Sequence, residues 1–206
     1  MKNQVFISII WIIIGYIFGS IPWGLVIGKV FYNKDLRQYG SGNPGGTNAA
    51  RVLGLHVGII VILLDALKAL LVMLLCNKFN PGIEQYVGLA VCFGHCFPIF
   101  SNFKGGKAVA SSYGYLLGIA LLVTHEYIYT FLIAFISFFV ILLLFRMVSL
   151  ASMISLLIGA ISIFIKVDKT IGILVFLLSL FVIYRHSANI KRILDGSEPK
   201  IFTKKN

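Results

Sequence analysis

Acidic residues are scarce in this chain of 206 residues, which has seven Asp and Glu against eighteen Lys and Arg and a formal net charge of +11. No D-x-x-D pair of aspartates occurs, the motif that holds a divalent cation on a diphosphate. No histidine has an aspartate five positions later, and no G-x-S-x-G nucleophile elbow occurs. We therefore expect no metal site and no serine nucleophile.

Cysteine is also rare. Cys76, Cys92 and Cys96 lie in or at the ends of apolar segments, and an odd number in such segments is not a disulfide framework. Cys92 and Cys96 share a helical neighbourhood with His95, but these three ligands lack the fourth that a structural zinc site has. We interpret them as packing residues.

Apolar residues dominate, at 59% of the chain with a mean hydropathy of +0.95. The apolar runs are continuous rather than alternating, which favours membrane helices over a β-barrel. The sequence thus predicts an all-α integral membrane protein, a single domain over residues 1–206, with about seven transmembrane helices. The predicted segments are 4–28, 52–76, 85–100, 107–123, 127–146, 147–165 and 169–186, of which the break at Arg146 has the least support.

The basic residues predict the orientation, because Lys and Arg are enriched in cytoplasmic loops. One set of loops holds thirteen: Lys29, Lys34, Arg37, Arg51, Lys104, Lys107, Arg146, Arg185, Lys191, Arg192, Lys200, Lys204 and Lys205. The other holds four: Lys2, Lys78, Lys166 and Lys169. We expect the N-terminus outside and the C-terminus in the cytoplasm. The net positive charge then reflects this bias and attraction to anionic membrane lipid, and we expect no nucleic-acid partner.

Glycine, hydroxyl and amide residues are concentrated in one stretch, GSGNPGGTNAAR at 40–51. Glycines let backbone N–H groups converge on an anion, Thr47 or Asn48 could cap the next helix, and Arg51 suits a phosphate. Gly105 and Gly106, between Lys104 and Lys107, are a second group of glycines next to basic residues. Phosphate binding is our interpretation, and the alternative is two tight turns with basic side chains extended to the lipid interface.

Two further polar clusters, RMVSLAS at 146–152 and RHSANIKRILDGSE at 185–198, fall on the same predicted cytoplasmic face. All four clusters could therefore contribute to one site at the membrane surface. Inside the apolar segments, Asp65 and Lys68 lie three residues apart and can neutralise each other, in a structural or a functional role. The spacings Gly15/Gly19, Gly24/Gly28, Gly54/Gly58 and Gly114/Gly118 indicate close helix packing.

These motifs, together with GSIPWG at 19–24 and GHCFPIFSNFKGGKAVA at 94–110, resemble the PlsY family of bacterial membrane glycerol-3-phosphate acyltransferases over nearly the whole chain. The departures are small: Gly46 stands where Ala is usual, and Ala69 and Ala108 stand where Gly is common. The resemblance implies transfer of a fatty acyl group from acyl phosphate to the 1-position of sn-glycerol 3-phosphate, giving lysophosphatidate and inorganic phosphate. It also implies no tightly bound cofactor, a bacterial plasma membrane location and a peripheral phosphate acyltransferase that supplies the donor.

The resemblance and the chemistry of the side chains together assign the site. We expect His186, Lys107 and Asn189 to be catalytic, with His186 or the donor phosphate accepting the hydroxyl proton. The substrate-binding set is Ser41, Gly42, Asn43, Gly45, Gly46, Thr47, Asn48, Arg51, Lys104, Gly105, Gly106, Lys107, Ser149, His186 and Asn189. We expect Asp195 and Glu198 to order the C-terminal segment. The alternatives are an anion transporter, which would show basic residues at mid-membrane and related halves, and an acyl-CoA-dependent transferase.

Overall fold

The computed structural model describes residues 2–201, with only the backbone described at Lys2; Lys204 and Lys205, two of the basic residues counted above, lie outside the described residues. Every regular element between 2 and 201 is helical, which confirms the all-α prediction. The chain forms two compact units, Met1–Val123 and Thr124–Asn206.

The first unit contains six α-helices. They are α1 (Lys2–Gly19), α2 (Trp23–Tyr32), α3 (Gly46–Leu53), α4 (Leu55–Phe79), α5 (Glu84–Cys96) and α6 (Val109–Ile119), and a π-helical turn, Ala120–Thr124, follows α6. Helix α4 packs against α1, α3, α5 and α6, so it is the central helix of this unit. Its core includes Ala69, Val72 and Cys76 of α4 packed against Val87 and Val91 of α5.

The first predicted segment, 4–28, is not one continuous helix. Helix α1 ends at Gly19 and α2 begins at Trp23, directly after Pro22. Proline has no N–H to continue the helical ladder, and its ring would clash with a carbonyl in the preceding turn. The break at 20–22 therefore leaves backbone carbonyls, including that of Ile21, for other partners.

Small residues bring helix backbones into contact. A Cβ at Gly15 would lie 2.7 Å from the Val87 carbonyl oxygen, and one at Gly19 would overlap the Val91 backbone, so α1 and α5 touch at these points. Gly114 meets the Ala66 backbone of α4 in the same way, and Gly118 meets the Met73 side chain of α4. The packing interpretation is wrong for Gly54, which has open space around it and a φ of +104° between α3 and α4. Gly54 permits a turn that other residues rarely adopt.

The described residues of the second unit form four α-helices: α7 (Ile133–Phe145), α8 (Val148–Lys166), α9 (Lys169–Arg185) and α10 (Ser187–Leu194). A π-helical turn, Ile128–Leu132, precedes α7. Arg146 ends α7 in the left-handed conformation, with a φ of +59°, which confirms the predicted break at this residue. Helix α8 packs against both α7 and α9.

Four described helical segments are long and apolar enough to cross a membrane. They are Asn3–Tyr32, which includes the break between α1 and α2, Leu55–Phe79, Ile128–Phe145 and Val148–Lys166. Helices α9 and α10, which meet at a bend of 63°, make a fifth if they are taken as one span. Helices α5 and α6 are shorter, at 13 and 11 residues, although each coincides with a predicted segment. The count of seven spans and the orientation of the termini remain predictions.

Candidate active site

The glycine-rich loop before α3 is ordered by the buried side chain of Asn48. Its Oδ1 accepts the Ser41 N–H at 2.9 Å, and its Nδ2 donates to the carbonyls of Leu36 at 3.1 Å and Tyr39 at 3.0 Å. Both amide hydrogens are therefore used within the loop, which differs from the ligand-donor role predicted for Asn48. Helix capping by Asn48 or Thr47 is wrong, because α3 begins at Gly46 with Gly45 as its N-cap.

The predicted glycines of this loop differ in their backbone requirements. Gly40 and Gly42 have φ values of +61° and +70°, which L-residues rarely adopt. Gly45 has an ordinary φ of −85°, and its N–H donates to Asn43 Oδ1 at 2.9 Å. A Cβ at Gly46 would lie 2.9 Å from the Gly58 carbonyl oxygen, so Gly46 allows α3 to approach α4. Among these glycines of the loop, only Gly40 and Gly42 have a positive φ, so the turn itself requires glycine only at these two positions.

The first turn of α3 presents the backbone N–H groups of Gly46 and Thr47, which helix geometry leaves without intrahelical acceptors. Ser41, on the loop before this turn, and Thr47 are both exposed. Arg51, in the last turn of α3, is also exposed. The turn therefore offers donors of the kind that anions bind.

An ion-paired cluster borders the same loop. Asp35 accepts two hydrogen bonds from the Arg37 guanidinium, at 2.9 and 2.6 Å, and lies 3.2 Å from Lys29 Nζ. The hydrogen bond from Arg37 holds the pKa of Asp35 well below its usual value, so this carboxylate stays ionised at neutral pH. The pairing fixes the direction of the Arg37 guanidinium.

The second predicted loop lies between α5 and α6. It turns sharply at Asn102 and Phe103, whose φ values are +53° and +58°, before the buried Gly105 and Gly106. Lys104 is exposed and Lys107 is half-buried. Helix α6 begins at Val109 rather than at the glycines, with Ala108 as its N-cap at a φ of +59°.

A cavity of about 520 Å³ joins the two glycine-containing loops of the first unit. Its lining consists of Asp35, Arg37, Gln38, Gly42, Asn43, Pro44, Asn102, Lys104 and Gly105. The structure thus brings together Gly42, Asn43, Lys104 and Gly105 from the predicted set. Sequence reasoning missed Arg37, which it used only for orientation; the adjacent Asp35, one of the few acids, was the available signal that this arginine is held in place.

In the second unit, Glu198 joins two of the predicted residues. Its Oε1 accepts from Ser149 Oγ at 2.6 Å and from Asn189 Nδ2 at 2.7 Å, and its Oε2 accepts from Arg192 Nε at 2.8 Å. Burial raises the pKa of Glu198, but these three hydrogen bonds outweigh that effect and hold it below 4.5. The bonds tie the C-terminal segment to α8 and α10, as expected from the ordering role. Asp195 is exposed.

His186 lies buried at the bend between α9 and α10. Its Nδ1 lies 2.8 Å from the carbonyl oxygen of Val182. A carbonyl only accepts, so Nδ1 carries the hydrogen and the neutral ring has its lone pair on Nε2. This tautomer suits a histidine that accepts a proton through Nε2.

Comparison with known proteins identifies the family. Residues 9–196 match the family model described as glycerol-3-phosphate acyltransferase. The chain is 45% identical over 195 residues to glycerol-3-phosphate acyltransferase of Macrococcus caseolyticus, covering 94% of this chain and 97% of that protein. It is also 45% identical to the Listeria monocytogenes enzyme of that name, covering 92% and 94%.

Two crystal structures of PlsY, an integral membrane glycerol 3-phosphate acyltransferase, have the same fold. The glycerol 3-phosphate form matches with a TM-score of 0.85 and 33% identity, covering 94% of this chain and 95% of that one. The lysophosphatidic acid form matches with a TM-score of 0.82 and 32% identity, covering 94% of each chain. The described fold, the glycine-containing loops and these matches agree, and the chain belongs to the glycerol-3-phosphate acyltransferase family.

Proposed function

We propose that this protein transfers a fatty acyl group from acyl phosphate to the 1-hydroxyl of sn-glycerol 3-phosphate at the cytoplasmic face of a bacterial plasma membrane. The observation that carries the proposal is the 520 Å³ cavity of the first unit, which the two glycine-containing loops line with Arg37 and Lys104. Backbone donors and cations suit phosphate groups. The carboxylate of Asp35 in the lining is paired with Arg37 and Lys29.

The donor also needs a place for its acyl chain. A second cavity of about 380 Å³ is lined by Pro22, Leu25, Val26, Lys29, Val30, Arg37, Phe100, Ser101 and Asn102. It shares Arg37 and Asn102 with the first cavity. A cavity lined by both apolar and basic side chains, next to the proposed phosphate site, fits a molecule with a fatty tail and an anionic head.

The chemistry requires positioning more than activation, because acyl phosphate is a mixed anhydride. The 1-hydroxyl oxygen attacks the acyl carbon, the bond from that carbon to the phosphate oxygen breaks, and phosphate leaves with the electron pair. Cations and N–H groups offset the repulsion between the two anionic substrates. The sequence prediction assigns the donor phosphate to residues 40–48 with Lys107, and glycerol 3-phosphate to Arg51, Lys107, Ser149, His186 and Asn189.

The hydroxyl proton passes to Nε2 of His186 or to the departing phosphate. The tautomer set by Val182 supports the histidine, since Nε2 then carries the lone pair. A histidine base would give a rate that falls at acidic pH as the imidazole is protonated. In a His186→Asn variant this fall in rate at acidic pH should disappear if His186 is the base. It should remain if the phosphate takes the proton.

The test of the reaction is phosphate release by the purified protein from acyl phosphate and glycerol 3-phosphate, without nucleotide or coenzyme. We expect turnover to survive EDTA, because the protein supplies cations and the residues that the structure describes include no carboxylate cluster of the kind that holds Mg²⁺. We also expect inorganic phosphate to compete with the donor. Acyl-CoA exceeding acyl phosphate as donor, or a strict metal requirement, would overturn the proposal.

A further inference from the structure

A buried ionic cluster lies beneath the second glycine-containing loop. Asp65 and Lys68 of α4 form the expected ion pair, with 2.9 Å between Asp65 Oδ1 and Lys68 Nζ. His95 of α5 joins them, with its Nδ1 at 2.9 Å from Lys68 Nζ and 3.3 Å from Asp65 Oδ1. The exposed fractions of Asp65, Lys68 and His95 are 2%, 4% and 8%. Burying charges so thoroughly is costly unless the partners are well placed, so the cluster needs an explanation.

The ammonium group of Lys68 has three polar neighbours. It forms hydrogen bonds with His95 Nδ1 and with the carbonyl oxygen of Ile21 at 3.1 Å, and its contact with Asp65 Oδ1 is an ion pair. With Nδ1 accepting from Lys68, the neutral imidazole carries its hydrogen on Nε2. The cluster thereby joins α4, α5 and the break between α1 and α2, and it fixes the plane of the His95 ring.

The loop rests directly on His95. The Gly106 N–H donates to the His95 carbonyl at 3.1 Å. A Cβ at Gly106 would overlap the His95 ring at Nε2, and one at Gly105 would overlap the His95 carbonyl oxygen. Ser111, in the first turn of α6, donates to the Asp65 carbonyl at 2.9 Å, so both ends of the Lys107 segment are anchored to the cluster residues.

We propose that Asp65, Lys68 and His95 are positioning residues, which hold Gly105, Gly106 and Lys107 in the conformation that binds substrate phosphate. The role rests on the proposed function, since it concerns the same phosphate site. They act through the imidazole of His95. Its fixed plane sets the position of the Gly105 and Gly106 backbone, and that position determines where the Lys107 side chain can extend.

The first test is a double-variant cycle between His95 and Gly106. Gly106→Ala alone should raise the KM for glycerol 3-phosphate by about ten- to hundred-fold, because the added methyl group pushes the loop off the ring. In a His95→Ala background the ring is gone, so the same Gly106→Ala change should raise KM much less. Equal effects of Gly106→Ala in both backgrounds would overturn the proposal, since the free-energy effects of substitutions at independent sites are additive.

The second test separates positioning from general stability. Cys76→Ala removes a buried side chain from the α4–α5 packing away from the loop, so it should lower the melting temperature and leave KM unchanged. His95→Ala should raise KM and speed hydrogen–deuterium exchange of the backbone amides at 102–108, and His95→Asn, which keeps an acceptor for Lys68, should restore part of both. If His95→Ala behaves like Cys76→Ala, the role is only structural and the proposal fails.

Inorganic phosphate provides a readout that does not depend on turnover. Phosphate should slow amide exchange at 102–108 in the unsubstituted protein, and this protection should be lost in Lys68→Met and His95→Ala. If the unsubstituted protein has no activity with acyl phosphate, but phosphate protects its amides and the two variants lose that protection, the proposed reaction is overturned and the positioning role is supported. Retained protection in both variants would overturn the positioning role whatever the activity.

Discussion

Ser149 of α8 and Asn189 of α10 donate to the same oxygen atom, Oε1 of Glu198, over 2.6 and 2.7 Å. Two of the residues that the sequence assigns to glycerol 3-phosphate are thus oriented by one carboxylate from the C-terminal segment. The segment itself is held by hydrogen bonds from the Ser197 and Glu198 N–H groups to the Arg192 carbonyl and from the Ile201 N–H to the Arg146 carbonyl.

Replacing Glu198 should therefore impair the enzyme through its neighbours. We expect Glu198→Ala to lower kcat/KM for glycerol 3-phosphate by about ten-fold or more, as one or two charge-assisted hydrogen bonds are lost. Asp195→Asn, an exposed acid in the same segment, is the matched control and should be nearly silent. Steady-state phosphate release measures both, and a silent Glu198→Ala would contradict the orienting role.

Glu198 also predicts a dependence of stability on pH. Its pKa in the folded protein lies below the ordinary 4.5, so its ionised form stabilises the fold above that pH, and this stabilisation is lost as the pH falls below it. In Glu198→Gln the melting temperature should fall less steeply below pH 4.5 than in the unsubstituted protein. Melting curves in detergent between pH 6 and about pH 3 test this, and parallel curves would count against it.

The two loop glycines at 42 and 45 should respond differently to alanine. Gly42→Ala forces a side chain into a φ of +70° at the cavity wall, whereas Gly45 has an ordinary φ of −85°. We expect Gly42→Ala to reduce turnover by about ten-fold or more, since a left-handed L-residue costs about 1–2 kcal/mol and displaces the loop. Gly45→Ala brings its Cβ to 3.0 Å from Asn43 Oδ1 and should be milder. Similar kinetics for both variants would show that the left-handed turn is unimportant.

Substitution of the cations near the loops should reduce kcat/KM, whereas substitution of a cation elsewhere should not. Arg51→Ala and Lys107→Ala should each reduce kcat/KM by roughly ten- to hundred-fold, as expected for losing a charge-assisted bond of about 1.5–3 kcal/mol. Lys78→Ala is the control, because Lys78 is exposed at the far end of α4 and lies over the Phe79 ring. Unchanged melting temperatures would assign the losses to binding or catalysis. Equal losses in all three would refute the assignment.

Ala108 offers a stabilising substitution. It has a φ of +59° as the N-cap of α6, where an alanine is strained by about 1–2 kcal/mol. Ala108→Gly relieves that strain, although glycine's greater freedom in the unfolded chain offsets about 0.5–1 kcal/mol of it. We expect a small rise in melting temperature with activity retained. A fall would mean that the Ala108 methyl group, which is fully buried, contributes more through packing than its backbone costs.

The sequence predicted the parts of this protein that depend on local composition. Continuous apolar runs predicted the helices, and glycines near polar and basic residues predicted both loops, because these signals lie within a few residues of each other. The roles of Asn48, His95 and Glu198 depend on partners that are distant in the chain, such as Leu36, Gly106 and Ser149. No spacing rule connects such pairs, so their contacts could be seen only in the folded chain.

The hydrogen bonds of Asn48 have a consequence for the kinetics of ligand capture. Since its amide fastens the backbone at Leu36, Tyr39 and Ser41, this loop is already ordered before any ligand arrives. The conformational entropy of the loop is lost during folding rather than during association. An anion that reaches the loop therefore meets a rigid surface, and its rate of capture is governed by diffusion and long-range attraction to positive charge, not by the time that a flexible segment takes to close.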